Sequence, residues 1–339
     1  MLAVGRPFRG HGSGSPVPRA HRRGKGAATV STATSAKRAR ILIVNADDLG
    51  LSDGVTEGIV RAWRDGVVTS TSAMINIEGA AERVAAVHRD HPELPIGLHL
   101  NITAGRPVLP PERVPTLVDG EGRFFSVEVI PTRLLRMSLN ELRAELRAQA
   151  ERLAATGVRI SHLDYHHHMV VLYTPFFRVV CELAQALGVP VRQPVPASIT
   201  GAVRFPSAGK AAALRQMMTF GLRHPLMAAR LAPLMTPGAV RRQPALLRAS
   251  GVKAPDWFID GFYGNATVEN FIRMLEQLPP GVSEVAVHPA VADEELRRRA
   301  PDYAAQREQE LAVLLDPRVR EACRSHGVRL GSYAVLAEP

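Results

Sequence analysis

The chain has 339 residues, of which 46% are hydrophobic, and it carries a formal net charge of +10. This length and apolar content predict a globular protein with a large buried core, built as one large α/β domain or two smaller ones. No window approaches the roughly 18 consecutive apolar residues of a membrane span, and the amino terminus lacks the apolar core of a secretory signal, so we expect neither. The two cysteines are far apart and offer no thiolate metal motif, which favours a reducing, cytoplasmic compartment.

The positive charge is concentrated in two segments that contain no Asp or Glu. Residues 1–40 contain nine Lys or Arg and residues 183–255 contain ten, while all 32 acidic residues lie elsewhere. The first segment is rich in Gly, Ser, Pro and Arg without hydrophobic periodicity, which predicts a disordered basic arm over residues 1–39. An upstream extension explains this arm more simply than a tether for nucleic acid or membrane. Because the basicity does not belong to the fold, we expect no specific nucleic-acid partner.

From Arg40 onward, predicted strands and helices alternate. The first apolar run suits a strand buried on both faces, and the next segment has helical spacing with an N-cap at Ser52 and a stop at Gly66. The predicted strands are ILIVNA, VVTSTSAMIN, LPIGLHLN, VRISHLDYHHH, VPVRQP, WFIDGFY, SEVAVHPA and RLGSYAVL. The predicted helices are SDGVTEGIVRAWRDG, EGAAERVAAVHRDHP, SLNELRAELRAQAERLAATG, TPFFRVVCELAQALG and REQELAVLLDPRVREACRSHG. Ser138 and Glu141 predict a capping box at the start of the third helix.

This alternation predicts an α/β fold with a parallel sheet and helices outside it. The number of strand and helix units favours a closed or nearly closed barrel. We expect residues 40–336 to form this barrel as a single domain, with a basic helical insertion at about residues 200–254.

Acidic and imidazole side chains recur where predicted strands end. They are Asp47 and Asp48 after the first strand, His99 and Asn101 after the third, His162, Asp164, His166, His167 and His168 in and after the fourth, and His288 after SEVAV. Because active sites of such barrels form at the carboxyl ends of the strands, we expect these side chains to converge. A single Asp here could be a helix N-cap, a lone His99 a core residue, and the histidine run an adventitious metal-binding tract. Their recurrence at four strand ends favours a functional site.

Aspartate and histidine without thiolates form a ligand set suited to Zn²⁺, Mn²⁺ or Co²⁺. Such a site leaves coordination positions open for water and substrate, as hydrolysis requires. Adjacent residues of a strand point in different directions, so only one of Asp47 and Asp48 need bind the ion. The other is then free to act as a general base.

Four ordered blocks, NADDLGLSDGVTEGIVRAWRDGVVTSTSAM, IGLHLNITAGRPVLPP, SHLDYHHHM and EVAVHPA, resemble the YdjC-like carbohydrate deacetylase family. That family includes chitooligosaccharide deacetylases and a branch associated with hopanoid biosynthesis. The resemblance covers roughly residues 40–336 and implies a deformed (β/α) TIM-like barrel. It also implies removal of an N-acetyl group from an amino sugar with one divalent metal ion, Mg or Zn, with Mn or Co also compatible.

Carried over residue by residue, the resemblance implies Asp48, His99 and His166 as metal ligands. It implies Asp47 as the general base and His288 as the general acid that protonates the departing amine. Ala290 stands where the family more often has glycine. His162, Asp164 and His168 are expected to orient the ligands or contact substrate, and the RxxEL motif that begins at Arg307 to serve as a structural anchor.

The acid-free segment contains apolar and arginine-bearing helices that we expect to overhang the barrel mouth. There they could contact an anionic membrane surface, which predicts a glycolipid or glycosylated natural product as substrate. Three alternatives remain: a chitooligosaccharide deacetylase, another metal-dependent hydrolase such as a phosphoesterase, and a charge-driven binding protein without catalysis. A homodimer is a further expectation, as is a cytoplasmic location with membrane association through residues 200–254.

Overall fold

A computed structural model describes residues 38–204, 218, 222, 225–231, 236–262, 264–299 and 301–337. The predicted arm, apart from Arg38 and Ala39, lies outside these residues, as does much of the Met-rich part of the predicted insertion. The described residues from Arg38 onward form one compact unit.

Seven parallel strands form one curled sheet. They are β1 (Arg40–Leu49), β2 (Ser70–Ala73), β3 (Ile96–Leu100), β4 (Leu163–Tyr165), β5 (Trp257–Ile259), β6 (Gly281–Val287) and β7 (Val328–Leu330). The order is β4-β3-β2-β1-β6-β5, and β7 pairs with the first three residues of β1. All described pairings are parallel, so the carboxyl ends of these strands lie at one edge.

Helices connect the strands and cover the sheet. They are Asp53–Arg64, Ala80–Asp90, Ile130–Arg133, Leu139–Ala154, Met169–Leu172, Thr174–Leu187, Ala197–Thr200, Pro225–Leu231, Pro237–Ala249, Val268–Gln277, Glu294–Arg299, Pro301–Leu315 and Pro317–Ser325. Short 3₁₀ helices span Pro111–Arg113, Leu134–Arg136, His166–His168 and Tyr333–Leu336. The predicted α/β architecture with a parallel sheet is therefore confirmed.

The curled sheet forms a half-barrel, which agrees with the deformed barrel that the resemblance implies. Of the two forms that the number of units favoured, closed or nearly closed, the sheet does not adopt the fully closed one. β4 and β5 lie at opposite ends of the strand order, and VPVRQP forms no ladder strand between them. It contributes one isolated bridge instead, from Val191 to Leu163 of β4, and Pro196, two residues after the segment, forms another with Phe258 of β5. Two prolines in VPVRQP cannot donate backbone hydrogen bonds, which explains why the segment between β4 and β5 forms no regular strand.

Two helix predictions also need correction. REQELAVLLDPRVREACRSHG is not one helix, because Asp316 ends the first helix and caps the second, whose first residue is Pro317. The Ser138 hydroxyl accepts the Glu141 N–H as predicted, but the Glu141 carboxylate turns to the N–H and hydroxyl of Thr116. The capping box is therefore only half formed.

The lower interior of the half-barrel is filled by the carboxyl-terminal 3₁₀ helix. Tyr333 and Val335 pack there against Ile43 and Val282, and Ile41 and Leu336 border this small cluster. The main hydrophobic core lies between the sheet and its helices. Polar groups therefore occupy the upper interior, at the carboxyl ends of the strands.

Within the described residues, no single helix has both the length and the apolar character needed to cross a membrane. The helical segments His166–Leu172 and Thr174–Leu187 meet these criteria only when taken together, and they are bent by 106° with respect to each other.

Candidate functional site

The two adjacent aspartates enter the site through a distorted strand end. The register between β1 and β2 shifts between Ala46 and Leu49. Asp48 has φ of 73°, a left-handed conformation that is uncommon for a residue with a side chain. This turn brings both carboxylates to the same polar cluster, where Asp47 and Asp48 are almost completely buried. Unfavourable backbone geometry of this kind is concentrated at functional sites.

Asp48, His99 and His166 converge from three strand ends. The Asp48 Oδ1 atom lies 3.3 Å from His99 Nε2 and 3.3 Å from His166 Nδ1. The two imidazole nitrogens are 3.2 Å apart. The structure therefore brings together the three side chains that the sequence predicted as metal ligands.

This triangle has the properties of a cation site. Asp48 Oδ1 is buried and has no hydrogen-bond partner, whereas Asp48 Oδ2 accepts a hydrogen bond of 2.5 Å from Arg307. Ligand atoms that share one ion at about 2.0–2.2 Å are expected to lie roughly 3 Å apart, as these do. One carboxylate oxygen and two imidazole nitrogens suit a divalent ion such as Zn²⁺, Mn²⁺ or Co²⁺. The residues present therefore fit one divalent cation.

The imidazole of His99 is oriented from behind by Asp164. Its Nδ1 atom is 2.8 Å from Asp164 Oδ1, and the hydroxyl of Ser72 donates to Asp164 Oδ2 at 2.7 Å. This carboxylate pairing leaves Nε2 of His99 facing Asp48, as in carboxylate–histidine metal sites. Burial alone would lower the pKa of His99, but Asp164 and Asp47 raise it to about 10 when no cation competes.

Asp47 is held by a fully buried arginine that lies outside the predicted set. Arg192 NH1 donates to Asp47 Oδ2 at 2.8 Å and NH2 donates to Oδ1 at 2.7 Å, while Asn45 also donates to Oδ1. Burial by itself raises the pKa of Asp47, but the charge and hydrogen bonds of Arg192 outweigh it and hold that pKa well below its usual range. Asp47 is therefore ionised at neutral pH.

Arg192 also occupies the centre of a second acidic cluster. Asp47, His99 and Asp164 could by distance hold another ion. However, Arg192 NH2 lies 2.8 Å from Asp164 Oδ2, and Arg192 Nε donates to Glu284 Oε1 at 2.8 Å. The guanidinium, stacked over the Phe258 ring at 4.9 Å, supplies the positive charge that a second metal would bring.

His288 approaches the cluster from the end of β6. Its Nε2 atom is 3.9 Å from Asp47 Oδ2, and its side chain is 24% exposed. Burial lowers the pKa of His288 to about 4, although Asp47 and Asp48 oppose the shift. His288 therefore has a neutral imidazole at pH 7, beside the carboxylate of Asp47.

The other members of the histidine run have different surroundings. His162 stacks against Tyr333 at 3.8 Å in the lower interior, so its predicted role next to the metal ligands is not supported. His167, with φ of 53°, is exposed and contacts Thr103 Oγ1 at 3.0 Å. His168 packs between Tyr165 and Phe258.

Asn101, which the sequence placed beside His99, does not reach the cluster. Its side-chain oxygen accepts the backbone N–H groups of Thr103 and Ala104, and its amide donates to Asn76. Asn101 therefore shapes the loop after β3.

The residues that sequence reasoning missed are the ones that hold the acids and imidazoles in place. Arg192 is the single charged residue in VPVRQP, a predicted buried strand, and a charge in such a strand needs a partner. Arg307 and Glu310 belong to the RxxEL motif, yet both reach the site: Arg307 contacts Asp48, and Glu310 accepts the His288 backbone N–H. For Asn45 and Ser72, the sequence contains no comparable feature that would indicate a place in the site.

The fold and the cluster define a parallel half-barrel with one carboxylate–imidazole site at the carboxyl ends of its strands. The chain belongs to the YdjC-like family, whose profile, described as YdjC-like protein, matches residues 41–325.

Relatives and a solved structure agree with this assignment. A protein from Brevibacillus brevis named carbohydrate deacetylase is 34% identical over 297 residues, which are 87% of this chain and 99% of the relative. A chitooligosaccharide deacetylase from Yersinia pestis is 32% identical over 302 residues, covering 87% of this chain and 98% of the relative. A crystal structure of a protein from Enterococcus faecalis, with a suggested role in cellobiose-phosphate cleavage, superposes with a TM-score of 0.71 and 27% identity. The superposition covers 88% of this chain and 99% of that one.

Proposed function

We propose that this protein is a metal-dependent hydrolase that removes an N-acetyl group from an amino sugar. The named relatives support a sugar deacetylase. The observation that carries the proposal is the triangle of Asp48, His99 and His166, with Asp47 and His288 adjacent to it.

In this proposal Asp48, His99 and His166 hold one divalent cation. When bound, such a cation supplies Lewis-acid chemistry, which polarises a carbonyl oxygen and lowers the pKa of water. The protein prepares the ligands: Asp164 accepts a hydrogen bond from Nδ1–H of His99, and Arg307 binds the Asp48 oxygen that faces away from the imidazoles.

Asp47 and His288 are proposed to move the protons of amide hydrolysis. Asp47 accepts a proton from the water that attacks the acetamide carbon, and Arg192 fixes both oxygens of this carboxylate for that task. His288 then donates a proton from Nε2 to the nitrogen of the departing amine as the C–N bond breaks. The 3.9 Å between Asp47 Oδ2 and His288 Nε2 leaves the two groups close enough to act on one acetamide.

The test is acetate release from a panel of N-acetylated sugars and glycolipids. We expect release by the wild type, loss of release with chelator, and recovery on adding back Zn²⁺, Mn²⁺, Co²⁺ or Mg²⁺. Asp47→Asn should lower kcat by at least about 100-fold, because a carboxamide cannot accept the proton. Chelator-resistant release, or an Asp47→Asn variant with wild-type kcat, would contradict the assignment.

A phosphoesterase is disfavoured by Arg192. Hydrolases with two metals use a pair of ions to hold the attacking and leaving oxygens, but Arg192 fills the second acidic cluster of the described residues.

For the substrate, we propose a glycolipid or glycosylated natural product rather than free chitooligosaccharide. Leu222 and Leu226 are each 82% exposed, and the helix Pro225–Leu231 lies against Ile130–Arg133, in the segment that follows β3. Gln243 of the helix Pro237–Ala249 donates to the carbonyl of Val171, just after the histidine run. The insertion is thus attached to segments that follow β3 and β4, the strands that deliver His99 and His166.

The charge of the insertion also supports contact with a membrane surface. Residues 183–255 contain ten Lys or Arg and no acid, and Arg242 and Arg248 are exposed on the helix Pro237–Ala249. Exposed leucines and exposed arginines within one acid-free segment favour contact with an anionic lipid surface.

A flotation assay with phosphatidylglycerol vesicles tests this surface. Leu222→Glu with Leu226→Glu should abolish flotation, while the control Leu187→Glu, at a leucine that is 38% exposed, should not. Absence of vesicle binding together with rapid turnover of chitobiose would overturn the glycolipid proposal and leave a chitooligosaccharide deacetylase.

A further inference from the structure

Glu310 lies directly behind His288 and has no part in the proton transfers proposed for Asp47 and His288. It belongs to the helix Pro301–Leu315 and is completely buried. Its Oε2 atom accepts the backbone N–H of His288 at 2.6 Å and lies 3.9 Å from the ring nitrogen Nδ1 of the same residue.

The ring nitrogen of His288 that lies towards Glu310 is unpaired. His288 Nδ1 is buried and has no hydrogen-bond partner, although Nε2 at the other end of the ring faces Asp47. Buried polar nitrogens are normally paired, so an unpaired one beside a carboxyl group identifies a contact that a small rotation of either side chain would complete.

We propose that Glu310 is a positioning residue for His288, and that it holds the proton that replaces the one His288 delivers to the departing amine. This rests on the proposed deacetylation. As the C–N bond of the substrate breaks, the Nε2–H bond of His288 breaks and an N–H bond forms on the amine. At the same time a proton passes from Glu310 Oε2 to His288 Nδ1, which leaves the imidazole neutral and Glu310 ionised. In the reverse shift, the proton that Asp47 took from water passes to Nε2 of His288. The proton on Nδ1 then returns to Oε2 of Glu310, which restores both residues.

The electrostatic surroundings of Glu310 and His288 are consistent with a proton held by Glu310 and a neutral imidazole on His288. Burial raises the pKa of Glu310 to about 7 and lowers that of His288 to about 4, so Glu310 binds its proton more tightly than the imidazole of His288 binds a second one. The groups that face the pair come from three elements: Asp47 and Asp48 of β1, His99 of β3, and Tyr303, Gln306 and Arg307 of the helix that carries Glu310.

The same helix provides a matched control. Glu308 accepts the backbone N–H of Ala292 at 3.2 Å, so it also ties the loop after β6 to this helix, but it makes no contact with His288. Glu310→Gln and Glu308→Gln each replace a carboxylate by an amide that can still accept a backbone hydrogen bond.

The first experiment compares steady-state kinetics on the best N-acetylated sugar of the panel. Glu310→Gln should lower kcat by about 10- to 100-fold with KM within about threefold, the usual range for loss of one proton-transfer partner, while Glu308→Gln should stay within about twofold. The defect of Glu310→Gln should shrink on an acetate ester of 4-nitrophenol, whose leaving group needs no proton. Equal kcat values for the two variants, or an undiminished defect on the ester, would overturn the proposal.

The second experiment needs no substrate. The imidazole titration of His288, followed by NMR in the full chain, should shift in Glu310→Gln and remain unchanged in Glu308→Gln. An identical titration in wild type and Glu310→Gln would refute the coupling, even if no sugar is deacetylated; absence of acetate release from the wild type would instead count against the proposed function alone. Should Glu310→Gln not fold, Glu310→Asp, which keeps a carboxyl group but withdraws it from His288, should still lower kcat at least about fivefold. Wild-type kcat in Glu310→Asp would overturn the proposal.

Discussion

Replacing Arg192 by methionine should destabilise the protein strongly. The guanidinium is fully buried and pairs with Asp47, Asp164 and Glu284 at 2.7–2.8 Å. Methionine fills much of the volume but leaves buried carboxylates without a counter-charge, and breaking a buried ion pair from one side typically costs about 3–5 kcal/mol. Since whole domains are stable by only about 5–15 kcal/mol, this is a large share of the free energy of unfolding.

The measurement is urea denaturation followed by circular dichroism, at pH 5.5 and pH 8. Glu284 already has its pKa raised to about 7 by burial, despite the opposing charge of Arg192. Without Arg192 the pKa values of the carboxylates in the folded state rise above their unfolded values, so stability present at low pH is lost as pH rises. The loss in Arg192→Met should therefore be greater at pH 8 than at pH 5.5.

The exposed pair of Arg318 and Asp316 supplies the control for this prediction. Arg318→Met should change the free energy of unfolding by less than about 1 kcal/mol, as surface ion pairs usually do. A loss below about 1 kcal/mol in Arg192→Met, or a loss that does not depend on pH, would refute the view that Arg192 neutralises the buried acids.

Three other predictions concern the ligands, the lower interior and the cation. Asp164→Asn should weaken Zn²⁺ binding by about 10- to 100-fold in calorimetry, because His99 loses the carboxylate behind Nδ1, and unchanged affinity would contradict that role. Burial lowers the pKa of His162 from 6.5 to about 4, so its contribution to stability is present above pH 6.5 and is lost as pH falls towards 4. His162→Gln should therefore reduce the loss of unfolding free energy between pH 6.5 and pH 4 by at most about 3 kcal/mol. An unchanged loss would exclude His162 as its source. Cation at 100 times its Kd should add about 2.7 kcal/mol to the free energy of unfolding of the metal-free protein, with no such gain in Asp48→Asn.

Much of the site was accessible from the sequence, because parallel strands place their carboxyl ends at one edge whatever the details of packing. The alternation of strands and helices predicted that edge, and Asp47, Asp48, His99, His166 and His288 all lie along it. Apolar periodicity cannot show whether a sheet closes. The irregular segment between β4 and β5, which leaves a half-barrel, became evident only from the pairing of strands.

The sequence by itself determined which residue types stand at each strand end, since that follows from local pattern and chain direction. Only the tertiary structure decided which of them meet. His162 and His166 are four residues apart in one motif, yet one stacks on Tyr333 and the other faces Asp48. Arg192 and Asp47 are 145 residues apart and share two hydrogen bonds. Charges so distant along the chain pair because burial makes an unpaired charge too costly, and that cost is fixed by the packing of the whole fold.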